Sequence, residues 1–417
     1  MKGRVARGGS YAMVDVDVTE SLPAVTLSDT DSGLAVLVRR QGRPVGFFLT
    51  PVAPRAVVSP ETLGVLVSAR TGVKLLQEAI REELAGRTPP SVATTLTVAV
   101  CTRDRVENLA ACLESLLKIR RAGRRDLPEI EILVVDNAPS GRESRHLVES
   151  LTDVRYVREP AAGLDFARNR AIAEARGEFL AFVDDDVVLD GGWLEGFGEA
   201  LAENPDAAAV TGLVLPYELA TSAQVVFERR GGFRRGFEKL RYSGSVMAGN
   251  SLYPCGAGIF GAGCNMVFRR EVLVDLGGFD DALDTGRPLP GGGDLDMFYR
   301  VLRSGHALVY EPVMLAFHKH RRDYRALRRQ YWTWGTGFGA FVHRSYRADP
   351  EMRRRFTRLV AWWLFKQLAD LVRSARRPDA QFPELGTVEL LGGVAGLTYE
   401  YPLSKRRTER IRRRAYG

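Results

Sequence analysis

Three consecutive carboxylates, Asp184-Asp185-Asp186, close the apolar run Gly177-Glu178-Phe179-Leu180-Ala181-Phe182-Val183. Like charges this close repel one another unless a cation sits between them. Side chains alternate along a strand, so Asp184 and Asp186 would share a side if the strand continued. Two oxygen ligands on one edge suit Mg²⁺ or Mn²⁺, which keep open positions for substrate phosphates. Taken alone, the triplet is equally a solvated acidic turn or a helix N-terminus. A further carboxylate, Asp294, follows Pro290-Gly291-Gly292-Gly293 and opens a helical stretch over 294–302. Glycines there permit close ligand approach, and a carboxylate about 2.6–3.2 Å from an acceptor hydroxyl acts as a general base. The blander reading of Asp294 is a helix N-cap, with Asp296 favoured in the first turn by the dipole. Asp296 is also the reserve candidate for the base. His318 and His320 follow the run 307–310 and would share one face of a continued strand. His146, His306 and His343 show no paired spacing.

The elements that position these groups alternate in type. Residues 96–100 (Leu-Thr-Val-Ala-Val) form a short apolar run of buried, parallel-strand character, ending at Cys101-Thr102-Arg103-Asp104-Arg105. Leu109, Cys112, Leu113, Leu116 and Leu117 then recur at helical spacing. A second buried strand, 131–135, ends at Asp136-Asn137. A short strand at 154–157, a helix from about 164 to 176, and the strand of the triplet complete the series. Such alternation predicts an α/β fold with a doubly wound parallel sheet, whose ligands bind beyond the carboxyl ends of the strands. Residues 101–105, Asp136 and 184–186 all lie at such ends.

This ordered set resembles the family 2 glycosyltransferases, inverting enzymes of the GT-A fold, over roughly residues 95 to 345. Thr102-Arg103-Asp104-Arg105 is similar to the family's first-strand end, with Cys101 and Arg103 departing from it. Val134-Val135-Asp136-Asn137 stands where the family's Asp reads the nucleobase. Gly163-Leu164-Asp165-Phe166-Ala167-Arg168-Asn169 is similar to the segment lining the nucleotide pocket. Asp184 and Asp186 fall on the metal-binding Asp-x-Asp. Gly277-Gly278-Phe279-Asp280 and Gly292-Gly293-Asp294-Leu295-Asp296 resemble the acceptor-side motifs.

The resemblance implies a Rossmann-like, mostly parallel central sheet flanked by helices. It implies inverting transfer from a nucleotide-diphosphate sugar to a hydroxyl-bearing acceptor, whether glycan, lipid-linked or natural product. Asp294 is then the catalytic base, and Thr102, Arg103, Arg105, Asp136, Arg168 and Asp185 serve the donor. Mn²⁺ or Mg²⁺ would sit on Asp184 and Asp186, with His318 completing the shell. Gly293 departs from the family, which carries Glu there; the loss removes a like charge that would raise the base's pKa. Two other classes compete. A nucleotidyltransferase would show a glycine-rich, basic loop after the first strand, and 101–105 contains no glycine. An inactive nucleotide-sugar-binding protein has only Gly293 in its favour.

The chain has 417 residues, more than one core usually holds, and its 45% apolar content is ordinary for a soluble globular protein. We expect an α+β accessory domain over 1–90, the glycosyltransferase domain over 91–345 and a basic helical extension over 346–417. Residues 14–18 alternate, and 35–40 and 45–49 flank Gln41-Gly42-Arg43-Pro44 as a hairpin would. Ser59-Pro60-Glu61 opens a helix that runs, with a break near Thr71-Gly72, to about Leu84, before a linker at 85–91. The four cysteines lack C-x-x-C spacing and predict free thiols in a reducing cytoplasm. Residues 1–7 precede no apolar run, so no signal peptide is expected.

Charge is uneven: twelve Lys and Arg face three Asp and Glu over 319–358, and seven face one over 405–414. The uncharged stretch 359–365, with two tryptophans, follows Arg353-Arg354-Arg355. Seven residues cannot span a bilayer, which needs ~20. Peripheral contact with the inner face of the plasma membrane is one expectation, and a core-packing helix the other. Nucleic acid is not an expected partner, since no recognised module for it is present.

Overall fold

The computed structural model describes residues 9–85, 93–122, 127–244, 246–286, 288–376 and 383–417. The extreme N-terminus and nearly all of the linker at 85–91 lie outside the described residues.

Strands β1 (Ser10–Asp17), β2 (Asp31–Arg40) and β3 (Arg43–Pro51) form a three-stranded sheet in that order. The β2–β3 hairpin turns on Gln41 and Gly42, whose φ values of +51° and +81° are what a two-residue hairpin turn demands. Helix α1 (Pro60–Ala85) covers one face of this sheet. The two faces of β2 serve different cores. Leu34, Val36 and Val38 cluster with Leu63 and Val67 of α1, whereas Ala35 and Leu37 join Tyr11 and Phe47 in the main core of the molecule. Charged pairs fasten the same seam: Arg39 to Asp190 at 2.7 Å, and Arg43 to both oxygens of Glu199 at 2.5 Å.

Helix α1 runs unbroken through Thr71-Gly72, where the sequence predicts a break. Thr71 is buried beneath Gly46 of β3, and its hydroxyl donates to the Val67 carbonyl at 2.7 Å. A Cβ on Gly46 would lie 2.4 Å from the Thr71 methyl, so the bare glycine is what lets the helix pack straight.

The remainder supplies β4 (Thr95–Thr102), α2 (Val106–Arg121), β5 (Glu129–Asn137), β6 (Val154–Glu159) and α3 (Leu164–Glu174). It continues with β7 (Phe179–Asp184), β8 (Val187–Leu189), α4 (Trp193–Glu203), β9 (Ala207–Pro216) and α5 (Ser222–Arg229). Then come β10 (Asn265–Arg269), α6 (Gly293–Arg303) and β11 (Ala307–His318). The nine-stranded sheet has the order β8-β11-β9-β10-β7-β4-β5-β6, with the short strand Leu240–Tyr242 added against β11. Strands β4 to β7 pair in parallel, as do β9 and β11, while β10 and β8 run against their neighbours. This is the mixed α/β, mostly parallel architecture the sequence predicts.

Both faces of the sheet are covered. Leu109, Cys112, Leu113 and Leu116 of α2 pack with the core on one side, and Met297, Phe298, Val301 and Leu302 of α6 with the core on the other. Among the described residues four α-helices close the chain: α7 (Tyr324–Ala348), α8 (Arg353–Arg376), α9 (Pro383–Ala395) and α10 (Tyr401–Tyr416). Among the described residues no helix is long and apolar enough to cross a membrane. All four cysteines are free.

Candidate active site

Strand register gathers the chemistry at one edge. In the parallel ladder Cys101 pairs with Asp184 and Thr102 with Asp136, so three strands release their functional residues side by side. Strand β7 stops at Asp184, and Asp185 and Asp186 form the turn into β8. The alternation expected to put Asp184 and Asp186 on one side therefore ends early. The chain has to leave the β4 ladder here and join β11, where Val187 pairs with His318.

Each acid of the triplet has its own surroundings. Asp185 is buried, accepting from the Thr102 hydroxyl and from Arg105 Nη1, both at 2.8 Å. Asp186 is approached by Arg105 at 3.2 Å, by Arg321 at 3.4 Å and by His318 Nε2 at 3.4 Å. Burial raises its pKa, but His318, Arg321 and Arg105 outweigh it and the carboxyl titrates below the usual range. Asp184 goes the other way: burial, then the neighbouring Asp186 charge, pushes it up. Burial lowers His318 to about 4 against the pull of Asp186, so its ring is neutral at pH 7.

The donor set suits a hard divalent cation. Two carboxylates and a neutral imidazole come from paired elements, and burial with the neighbouring Asp186 charge raises Asp184 above the usual carboxylate range. Among the described residues no three His, Cys, Asp or Glu side chains enclose a metal site by themselves. That is compatible with Mg²⁺ or Mn²⁺, which take much of their coordination from water and substrate phosphates.

Asp136 is buried at the end of β5. Its Oδ2 accepts from the Tyr156 hydroxyl at 2.9 Å, while Oδ1 has no partner in the structure. Burial raises its pKa. Asn137 holds the next loop, donating to the Ala161 carbonyl at 2.7 Å and accepting from the Gly163 N–H at 2.8 Å. Arg103 is exposed and lies 3.9 Å from Asp104.

Arg168 does not face the open site. It is buried over the Phe279 ring at 5.2 Å, and its Nη1 contacts Asp165 at 2.9 Å and Asp284 at 3.3 Å. Burial would lower its pKa, but Asp165 and Asp284 more than compensate. Asp165, buried and near Asp284, is pushed well above the usual carboxylate range. Asp284 was invisible to sequence reasoning, lying between two motifs with no signal of its own. Asp165 stood inside a recognised segment, but only the fold shows that its carboxyl turns inward.

Asp294 lies in the first turn of α6. Its Oδ2 accepts from the Gly263 N–H at 3.1 Å and Oδ1 from the Leu295 N–H at 2.9 Å. The helix is entered through Gly292, at φ +102°, where a Cβ would stand 2.6 Å from the Gly337 carbonyl of α7. Only glycine fits that conformation at that distance. Asp296 points elsewhere: it is buried and ion-paired with Arg300 and Arg344, each at 2.7 Å.

His320 lies beside His318, their Nδ1 atoms 2.9 Å apart, and its Nε2 is 2.9 Å from Glu228 Oε1 on α5. Sequence reasoning ranked His320 behind His318 and missed Glu228, which is some ninety residues away and marked by no motif.

The family model for glycosyl transferase family 2 matches residues 97–277. The pre-mycofactocin glycosyltransferase of Mycobacterium tuberculosis is 25% identical over 315 residues, which cover 72% of this chain and 61% of that protein. The succinoglycan biosynthesis protein ExoM of Rhizobium meliloti is 31% identical over 228 residues, 54% of this chain and 66% of that protein. The chain thus spans about three fifths of the length of the mycobacterial relative. A solved mannosyltransferase from Pyrobaculum calidifontis, in complex with GDP-Man and Mn²⁺, covers 83% of this chain and 94% of its own at 18% identity, with a TM-score of 0.46.

Proposed function

We propose, for a chain whose residues 97–277 belong to glycosyl transferase family 2, that it moves a sugar from a nucleotide-diphosphate sugar to an acceptor hydroxyl with inversion of the anomeric centre. The supporting observation is the strand register, in which Thr102 pairs with Asp136 and Cys101 with Asp184, while Asp294 accepts from the Gly263 N–H just ahead of β10, the strand beside β7. The unpartnered Oδ1 of Asp136 is suited to accept an N–H of the nucleobase. Arg105 and Arg321, now leaning on Asp185 and Asp186, are placed to turn toward a diphosphate. Asp184, Asp186 and His318 would hold Mn²⁺ or Mg²⁺, which when bound supplies Lewis-acid stabilisation of the leaving diphosphate. Asp294, oriented by two backbone N–H groups, takes the acceptor's proton. Its neighbour Asp296 is tied up by two arginines, which favours Asp294 as the base, and one base with no second carboxylate as nucleophile suits a single displacement.

The test is incubation with a panel of nucleotide sugars and Mn²⁺, measuring nucleotide release, with NMR of any product. A β-linked product from an α-linked donor supports the reading, and retention sinks the mechanism. No release with any donor, in the presence of candidate acceptors, would favour a binding protein.

For partners, we place an anionic lipid surface against α8. Trp362, Phe365, Leu368 and Val372 line one side of that helix and are 48–73% exposed. Lys366 lies over the Trp362 ring at 5.4 Å, and Arg354, Arg358 and Arg373 border the same face. Residues 346–417 hold 16 Lys and Arg against 8 Asp and Glu, which accounts for the whole net charge of +8. A second copy would set these cations against their like, whereas anionic head groups complement them. Sedimentation with phosphatidylglycerol vesicles, lost in Phe365→Ser/Leu368→Ser and absent with phosphatidylcholine, is the expected result. No sedimentation with anionic vesicles at low salt overturns it.

A further inference from the structure

Helix α1 carries two apolar faces, and its own sheet covers one of them. Leu63 and Val67 are buried in a cluster with Val36, Val38 and Val58, and Thr71 closes the same side beneath Gly46. On the opposite side Val65, Val73, Leu76, Ile80 and Leu84 are 48–82% exposed. Single exposed apolar residues are ordinary, but these five follow one line along a helix. With the half-buried Leu66 and the exposed Ala69, positions 66, 69, 73, 76 and 80 are spaced alternately by three and four, as in a seam between two packed helices. From Val65 to Leu84 the line is about 30 Å long at ~1.5 Å per residue.

Gly72 points independently to a neighbour on this side. It stands in the middle of the helix, where only proline is less favourable. Within the chain no packing accounts for it, since a Cβ there would meet nothing within 4 Å. A bare backbone facing open space lets a second helix approach closely, and the exposed Ser68 and Ala69 keep the preceding turn equally low.

Charge selects the neighbour. Helix α1 holds three Lys and Arg against four Glu, so it does not suit the anionic surface assigned to α8. Residues 60–74 carry Arg70 and Lys74 against Glu61, whereas 75–85 carry Arg81 against Glu78, Glu82 and Glu83. An antiparallel copy lays the positive half of each helix over the negative half of the other, with the two helix dipoles opposed. Covered on both copies, the line would remove roughly 1,000 Å² from water, the size a specific interface has to reach. A face that pairs with itself about a two-fold axis closes at two copies.

We propose that the outward face of α1 is a dimer interface, pairing antiparallel with the same face of a second copy of this chain. Since β2 and β3 beneath α1 share the main core, the pair holds two α/β units in a fixed relation.

Sedimentation equilibrium on the full chain at micromolar concentration is expected to give twice the chain mass. Leu76→Glu/Ile80→Glu should give a monomer that keeps its circular dichroism and a single cooperative melt, both positions being exposed. Gly72→Leu should weaken the dimer at least tenfold by holding the helices apart, again with the fold kept. Spin labels on Val65→Cys should lie roughly 30 Å apart across the antiparallel pair. Labels side by side would mean a parallel pair and overturn the arrangement. A wild type that is monomeric at every concentration, or a dimer as tight in either variant as in the wild type, overturns the interface. A monomeric wild type whose sedimentation with phosphatidylglycerol vesicles is lost in Leu76→Glu/Ile80→Glu would assign the face to lipid instead.

Discussion

Gly293 and Asp165 compete for one volume: a Cβ on Gly293 would lie 2.2 Å from Asp165 Oδ2. That oxygen is buried and has no partner, while the Gly293 N–H donates to Asp284 Oδ2 at 3.1 Å. A carboxyl from α3 thus fills the space that a side chain on α6 would take. Gly293→Ala should destabilise the protein by about 1–3 kcal/mol, the usual cost of overpacking. Gly293→Glu should cost more by itself and recover much of the loss when combined with Asp165→Ala. Thermal melts of the three variants decide the matter, and a wild-type melt for Gly293→Ala would refute the packing argument.

Asp294 and Asp296 should separate cleanly. Asp294→Asn keeps the size of the side chain and one of its two backbone contacts, to Gly263 or to Leu295, but cannot take a proton, so turnover should fall roughly 10²–10⁴-fold with donor binding intact. Asp296→Ala takes a buried carboxylate from Arg300 and Arg344, which keep the Leu276 and Gly278 carbonyls and Asp280 respectively, and the expected loss is about 3–5 kcal/mol of stability. Steady-state kinetics and denaturant melts on both variants would expose an exchange of these roles.

Asp136→Ala should weaken nucleotide binding by about 1.5–3 kcal/mol, the range for a hydrogen bond to a charged group. Calorimetry with the free nucleoside diphosphate measures it directly. Unchanged affinity would mean that Asp136 serves only to anchor Tyr156.

Asp186→Ala should abolish transfer and Mn²⁺-dependent nucleotide binding while the fold persists, because it also relieves repulsion on Asp184. As Asp184 titrates above the usual carboxylate range, cation binding must displace its proton, and Mn²⁺ affinity in the wild type should weaken as pH falls. Near wild-type turnover of Asp186→Ala with Mn²⁺ is the outcome that would end the metal assignment.

What the sequence makes legible is what it encodes locally. The β-branched run at 96–100 and the apolar run at 131–135 read as strands because neighbours within a few residues decide them. Their ends could be named as a site because parallel strands release their last residues on one edge. The direction of Arg168 was not legible: its partners include Asp284, more than a hundred residues on, and only tertiary folding brings them together. Glu228 is hidden for the same reason. The predicted break in α1 failed because Thr71 and Gly72 are poor helix formers by propensity, and packing against Gly46 overrides that.

The two-faced strand β2 bears on how such a protein can change over generations. A module hung on a flexible tether can be lost, duplicated or traded between genes with little harm to its neighbour. Here Ala35, Leu37 and Phe47 belong to the main core of the molecule, Tyr11 N–H donates to the Leu219 carbonyl at 2.8 Å, and Arg234 rests on Phe47. Descendants that shed the first strands would uncover that apolar seam and leave Arg234 without its aromatic support. The N-terminal sheet and the larger α/β unit are expected to be inherited as a single piece, and substitutions along their seam should come in compensating pairs.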